Sequence, residues 1–142
     1  MNKEVIKYSL SEINNAVYNF ISITKNYRIF ICYGEMGAGK TTFIKTYCQL
    51  NNITSEASSP TYSIINEYLT SEGKKIYHAD LYRLKNLDEA LNIGIEDYLN
   101  EEDCIIFIEW PQVIEALLPE HAVSLYFETI SPTERTITIN LP

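Results

Sequence analysis

The apolar residues of this chain follow two patterns, continuous β-prone runs and runs with helical spacing. The stretches 28–33 and 104–108 are almost entirely apolar, which is typical of strands buried on both faces of a parallel sheet. Apolar positions over 13–21 instead recur every three or four residues, so this segment is predicted to be a helix. Ser9 and Ser11 precede it, and either is expected to cap its N-terminus.

The rest of the pattern alternates strand-like and helix-like segments. It predicts an edge strand at 4–9, a helix at 40–50, a polar loop at 54–60, strands at 62–69 and 75–80, one or two short helices within 86–100 broken near Gly94, and strands at 122–128 and 135–141. The last two strands read as a hairpin turning at Ser131-Pro132-Thr133. The predicted fold class is α/β, a three-layer domain of the P-loop NTPase type, with a mixed, mainly parallel sheet and a C-terminal antiparallel hairpin.

Length and composition agree with one soluble domain. The 142 residues, 46% of them hydrophobic, suffice for a single domain over 1–142. No apolar stretch reaches the roughly 18 residues of a membrane span, and the first residues lack a secretory pattern, so a cytoplasmic protein with no membrane contact is expected. The net charge of −8 disfavours extensive direct contact with nucleic acid. Three widely spaced cysteines predict reduced thiols rather than a disulfide framework.

A phosphate-binding motif lies between the first buried strand and the helix that follows it. The run Gly34-Glu-Met-Gly-Ala-Gly39-Lys40-Thr41 matches G-x-x-x-x-G-K-[ST] at every fixed position. Its backbone amides are expected to surround an anionic phosphate at a helix N-terminus. Lys40 is predicted to reach the β- and γ-phosphates, and the Thr41 hydroxyl to bind Mg²⁺. The predicted nucleotide-binding residues are Glu35, Met36, Gly37, Ala38, Gly39, Lys40, Thr41 and Thr42.

Polar residues at the ends of other strands extend this prediction. Glu109 directly follows the buried run 104–108, and Asp80 ends the strand at 75–80. Acids at the carboxyl ends of such strands point to the crevice where α/β sheets bind ligands, so both are candidates to hold a metal or orient water. Thr61 either completes the Mg²⁺ shell or belongs to an ordinary proline turn. Trp110 either walls the site or fills the core, and His78 is expected to be packed or hydrogen-bonded.

These segments together resemble one family, the bacterial TsaE proteins of tRNA threonylcarbamoyladenosine biosynthesis. The matching motifs are GEMGAGKTTF at 34–43, SSPTYSIINEY at 58–68, YHADLYRL at 77–84 and FIEWP at 107–111, and residues 94–98 are also similar. Their order and spacing cover nearly the whole chain. The C-terminal hairpin is the least distinctive part.

The resemblance implies a small ATPase that uses ATP and Mg²⁺ and binds the heterodimer of TsaB and TsaD. That machinery modifies adenosine 37 of tRNA, so contact with tRNA is expected only indirectly, through the complex. By resemblance, Lys40 and Thr41 serve phosphate and Mg²⁺, Thr61 is a switch threonine, Asp80 and Glu109 serve metal and water, and Trp110 is functionally implicated.

Other functional classes stay open at this point. The motif alone does not separate an ATPase from a small-metabolite kinase or from a regulatory module that holds nucleotide without turnover. The kinase is disfavoured because the chain has only three arginines, Arg28, Arg83 and Arg135, of which Arg83 alone lies near a motif. A GTPase is disfavoured because the chain lacks N-K-x-D and D-x-x-G motifs. With no evident arginine finger in cis, hydrolysis is expected to be slow alone and faster with partners.

Overall fold

The computed structural model describes residues 2–57 and 64–142, with the backbone alone for residues 55–57. The strands in these ranges are β1 (Asn2–Ser9), β2 (Ile29–Tyr33), β3 (Ile53–Ala57), β4 (Ile65–Thr70), β5 (Lys75–Asp80), β6 (Cys104–Glu109), β7 (Val123–Thr129) and β8 (Glu134–Leu141). The α-helices are α1 (Ile13–Ile23), α2 (Lys40–Leu50), α3 (Leu87–Asn92) and α4 (Ile95–Asn100). Short 3₁₀ helices cover Leu10–Glu12 and Pro111–Leu117.

The strands form one mixed sheet in the order β1-β8-β7-β2-β6-β5-β4-β3. Parallel pairing joins the four central strands, β7, β2, β6 and β5, and antiparallel pairing joins the strands on both flanks. The predicted α/β fold with a C-terminal antiparallel hairpin is therefore confirmed, with the hairpin formed by β7 and β8. Because the central parallel strands end at one edge, the residues that follow β2, β5 and β6 meet there.

Helices cover both faces of the sheet and give the domain three layers. On one face, α1 and α2 bury an aromatic cluster, whose largest fully buried members are Phe20, Phe30, Phe43 and Phe107. On the other face, α3, α4 and the 3₁₀ helix at Pro111–Leu117 cover Ile29 and Ile31 of β2 and Ile106 and Ile108 of β6. Within the described part of the chain, no helix combines the length and the apolar character needed to cross a membrane.

Two local predictions from the sequence are wrong. Neither serine caps α1, because the Ser9 and Ser11 hydroxyls bond to each other at 3.1 Å and a 3₁₀ turn precedes the helix. Residues 54–57 of the segment 54–60, predicted to be a loop, form most of β3, which pairs antiparallel with β4 at the sheet edge, and residues 58–60 lie outside the described residues. A polar edge strand lacks the apolar alternation that a sequence pattern detects, and its pairing with β4 overrides its weak β propensity.

Candidate active site

The loop between β2 and α2 takes a conformation that depends on glycine. Gly39 directly precedes α2 with φ of 94°, and Gly37 has φ of 86°, a left-handed region that other residues rarely adopt. A Cβ on Gly34 would lie 2.8 Å from the backbone oxygen of Phe127, so β7 and the loop approach too closely for a side chain. The loop therefore presents backbone rather than side chains at the N-terminus of α2, where a helix favours an anion.

Lys40 begins α2 and turns its amine back toward the loop. Its side chain is buried, and Nζ donates to the Gly34 backbone oxygen at 2.5 Å. The same Nζ lies 3.9 Å from the centroid of the Trp110 ring, close enough for a cation–π interaction. A single carbonyl oxygen and an aromatic face bind the Lys40 ammonium more weakly than a phosphate does. A polyanion bound in the loop would therefore attract this amine.

Glu109 ends β6 and lies directly below the first turn of α2. Its buried carboxylate accepts the Thr41 hydroxyl at Oε2 at 2.9 Å, and His78 Nε2 bonds to the same oxygen. Burial alone would raise the pKa of this carboxyl, but the hydrogen bonds from His78 and Thr41 and the charges of His78 and Lys40 lower it. Glu109 is therefore held as an anion beside the hydroxyl predicted to bind metal.

Asp80 and Trp110 complete this edge of the sheet. Asp80 pairs in register with Glu109 on the neighbouring strand, is exposed, and accepts the Tyr82 amide at 3.1 Å. Trp110 follows Glu109 with φ of 56°, a left-handed conformation that is uncommon outside glycine. This turn places its ring over Lys40 and 5.1 Å from the ring of Tyr82.

A cavity of about 390 Å³ opens between these groups. Of the residues predicted from the sequence, those that line it are Met36, Gly37, Gly39, Lys40, Thr41, Thr42, Asp80, Glu109 and Trp110. Glu35 and Ala38 instead line a neighbouring cavity beside Phe127, and the Ala38 amide donates to the Glu35 oxygen at 3.0 Å. Their role in nucleotide binding stays a prediction. Thr61 lies outside the described residues.

Sequence reasoning missed four residues of the same cavity, Tyr8, Leu10, Ile13 and Arg135. Tyr8 and Arg135 lie opposite each other on β1 and β8. Tyr8 Oη and Arg135 Nε are buried with no hydrogen-bond partner among the residues that the structure describes, although buried polar atoms are normally paired. Burial raises the pKa of Tyr8 to about 12, although the Arg135 charge lowers it. No local sequence motif marks either residue, because a pairing of the chain's two ends brings them here.

The oxygen ligands of this site fit a magnesium ion whose coordination a bound phosphate would complete. The described part of the chain contains no group of three or more His, Cys, Asp or Glu side chains that could hold a metal alone. Mg²⁺ commonly binds through one or two carboxylates together with substrate phosphates rather than in an all-protein cage. The Thr41 hydroxyl, Glu109 and Asp80 at one edge of the cavity supply this kind of partial site.

Comparison with known proteins settles the family. The model of the family described as threonylcarbamoyl adenosine biosynthesis protein TsaE matches residues 8–137. The chain belongs to the TsaE family. This confirms the resemblance inferred from the four motifs, and the match includes both the phosphate-binding loop and the strand end at Glu109.

Individual members of the TsaE family are similar over most of their length. The protein from Borreliella burgdorferi is 40% identical over 114 residues, covering 80% of this chain and 81% of its own. That from Rickettsia bellii is 32% identical over 143 residues, covering 98% and 95%. Both are described as tRNA threonylcarbamoyladenosine biosynthesis protein TsaE. The crystal structure of YdiB from Bacillus subtilis superimposes with a TM-score of 0.71 at 25% identity, covering 99% of this chain and 88% of that one.

Proposed function

We propose that this protein binds ATP with Mg²⁺ in the 390 Å³ cavity and hydrolyses it, as an accessory ATPase of tRNA threonylcarbamoyladenosine modification. One observation carries the proposal: Lys40 and Thr41 of the glycine loop converge with Glu109 at the N-terminus of α2. Family membership supplies the pathway. The paired arrangement of hydroxyl and carboxylate supports turnover rather than binding alone, because a metal and an attacking water both need an acid there.

Each side chain has a role that follows from its position. The loop amides and the helix N-terminus hold the phosphates, and Lys40 exchanges its Gly34 carbonyl for phosphate oxygens. Thr41, Glu109 and Asp80 would hold Mg²⁺, which would neutralise charge on the phosphates. Glu109 also orients the attacking water.

Arg135 adds a second positive charge to the cavity wall, supplied from β8. Its buried Nε lacks a partner among the described residues, so a bound nucleotide would satisfy it. This arginine lies in cis, although no arginine-finger candidate is evident from the sequence pattern. The proposed ATPase therefore has two cations, Lys40 and Arg135, on the walls of its phosphate cavity.

A protein partner is proposed to cover the mouth of the cavity, and the family implies the TsaB–TsaD heterodimer. Met36 is 69% exposed and Leu10 39% exposed on the lining, and Tyr82, 58% exposed, packs on Trp110. Exposed apolar side chains grouped at one site are typical of interaction surfaces. The net charge of −8 favours a partner over direct contact with tRNA.

Phosphate release from ATP tests the proposal, measured with the protein alone and with purified TsaB–TsaD. We expect slow release alone, faster release with the pair, and no need for another phosphate acceptor, which distinguishes the ATPase from a kinase. Tyr82→Ala is expected to lower the stimulation several-fold, whereas Tyr18→Ala, 56% exposed on α1, is expected not to. Equal rates with and without the pair would contradict the partner, and no release under either condition would contradict the ATPase.

A further inference from the structure

His78 is a buried titratable residue for which the proposed reaction has no assigned step. It lies in the middle of β5, with 5% of its surface exposed, on the sheet face that α1 and α2 cover. Its Nε2 bonds to Glu109 Oε2 on the adjacent strand β6. A buried imidazole on this face needs a hydrogen-bond partner, but nothing in packing requires that partner to be the carboxylate of the candidate site.

The bond from His78 restricts a side chain that would otherwise be mobile. A glutamate carboxylate can rotate about three side-chain torsions, and each added hydrogen bond removes rotamers. Thr41 approaches Oε2 from α2, and His78 approaches the same oxygen from β5. With Oε2 held from both sides, Oε1 is the carboxylate oxygen that stays available to the cavity that Glu109 lines.

We propose that His78 is a positioning residue for Glu109, which holds the carboxylate in the orientation needed by Mg²⁺ and water. This inference rests on the proposed function, because it assigns His78 to the same site. Because an ionised carboxylate can only accept, Nε2 is the donor of this hydrogen bond. His78 does not touch the nucleotide and acts only through Glu109. Outer-shell partners of this kind change metal affinity or activity about 10- to 100-fold when they are removed.

Two amide substitutions separate positioning from simple packing. Gln places its amide nitrogen near the position of Nε2, whereas Asn is one methylene shorter and places its nitrogen near Nδ1. ADP affinity is measured by calorimetry with and without Mg²⁺. We expect His78→Asn to reduce the gain in affinity that Mg²⁺ confers about 10-fold, and His78→Gln to retain most of it. ADP affinity without Mg²⁺ is expected to stay unchanged in both variants.

ATP hydrolysis gives a second readout and separates the two proposals. His78→Asn is expected to lower kcat about 10-fold with little change in KM, and His78→Gln to restore it. If the wild type hydrolyses no ATP but the Mg²⁺ effect on ADP still differs between Gln and Asn, the proposed ATPase fails and the positioning role stands. His121→Asn, at an exposed histidine remote from the cavity, is the matched control and is expected to change neither quantity.

Three results would overturn the positioning role. The first is an equal effect of Mg²⁺ on ADP affinity in His78→Gln and His78→Asn. The second is a loss of ADP affinity in His78→Asn that is the same with and without Mg²⁺. The third is a kcat for ATP hydrolysis that is unchanged in both variants. If His78→Asn does not fold, NMR of the His78 ring protons in the wild-type protein tests the positioning role instead. A hydrogen-bonded Nε2 proton that persists when Mg²⁺ and ADP are added supports the role, and its disappearance contradicts it.

Discussion

At the scale of single residues, some positions of the site are predicted by a local sequence motif, whereas others can be assigned to the site only from the folded structure. Lys40 and Thr41 are predicted from a local motif because eight consecutive residues build the loop. Glu109 and Asp80 are predicted because each ends a strand. The partner of His78 could not be predicted, since alternation along a strand gives its face but not its neighbour on β6. Arg135 was missed because its place depends on the pairing of β8 with β1.

Glu109→Gln tests the role of the carboxylate with the smallest change in shape. Gln still accepts the Thr41 hydroxyl but lacks the negative charge that metal and water require. We expect ATP hydrolysis to fall about 100-fold or more. The gain in nucleotide affinity that Mg²⁺ confers is expected to fall about 10-fold or more, with affinity without Mg²⁺ unchanged, all measured with purified protein. Glu115→Gln, an exposed acid in the following 3₁₀ helix, serves as the control. Unchanged hydrolysis in Glu109→Gln would refute the role assigned to this residue.

At the scale of elements, strong periodicity and glycine signals predict the structure well and polar edge segments do not. The helix predicted at 40–50 has those bounds in the structure, because a left-handed glycine precedes it and its apolar residues face the sheet. The two helices within 86–100 break at Gly94, as predicted. The strand β3 and the 3₁₀ helix at Pro111–Leu117 were not predicted, since their stability comes from neighbours distant in the chain.

The packing of α1 against α2 depends on Phe20. This ring is fully buried, and its centroid lies 5.1 Å from Phe30 and 5.3 Å from Phe43. We expect Phe20→Ala to lower the free energy of unfolding by about 3–5 kcal/mol, because it leaves a cavity at the centre of the cluster. Chemical denaturation measures the change. Tyr18→Ala, on the exposed side of the same helix, is expected to stay within about 0.5 kcal/mol of wild type, and similar losses in both variants would contradict the packing account.

At the scale of the whole molecule, the sheet order explains why one edge carries the function. The crossings between β2, β6 and β5 bring the loop of α2, Glu109 and Asp80 to one edge. The antiparallel flank β1-β8-β7 then adds Tyr8 and Arg135 to the wall of the cavity. A phosphate site built by the central strands therefore gains a second wall from the two ends of the chain. The residues of this second wall could not be predicted from local sequence patterns, because they come together only when the two ends of the chain pair.

Calorimetric titration of ATP and ADP in the presence of Mg²⁺ tests the central claim most directly, that the loop at 34–41 holds a polyphosphate. We expect saturable binding of one nucleotide per chain. Lys40→Ala is expected to weaken it about 10- to 100-fold through loss of a charge-assisted hydrogen bond, whereas Lys45→Ala, exposed on the same helix, is expected to bind as wild type does. No heat of binding at millimolar nucleotide, or equal affinity in Lys40→Ala and wild type, would contradict it.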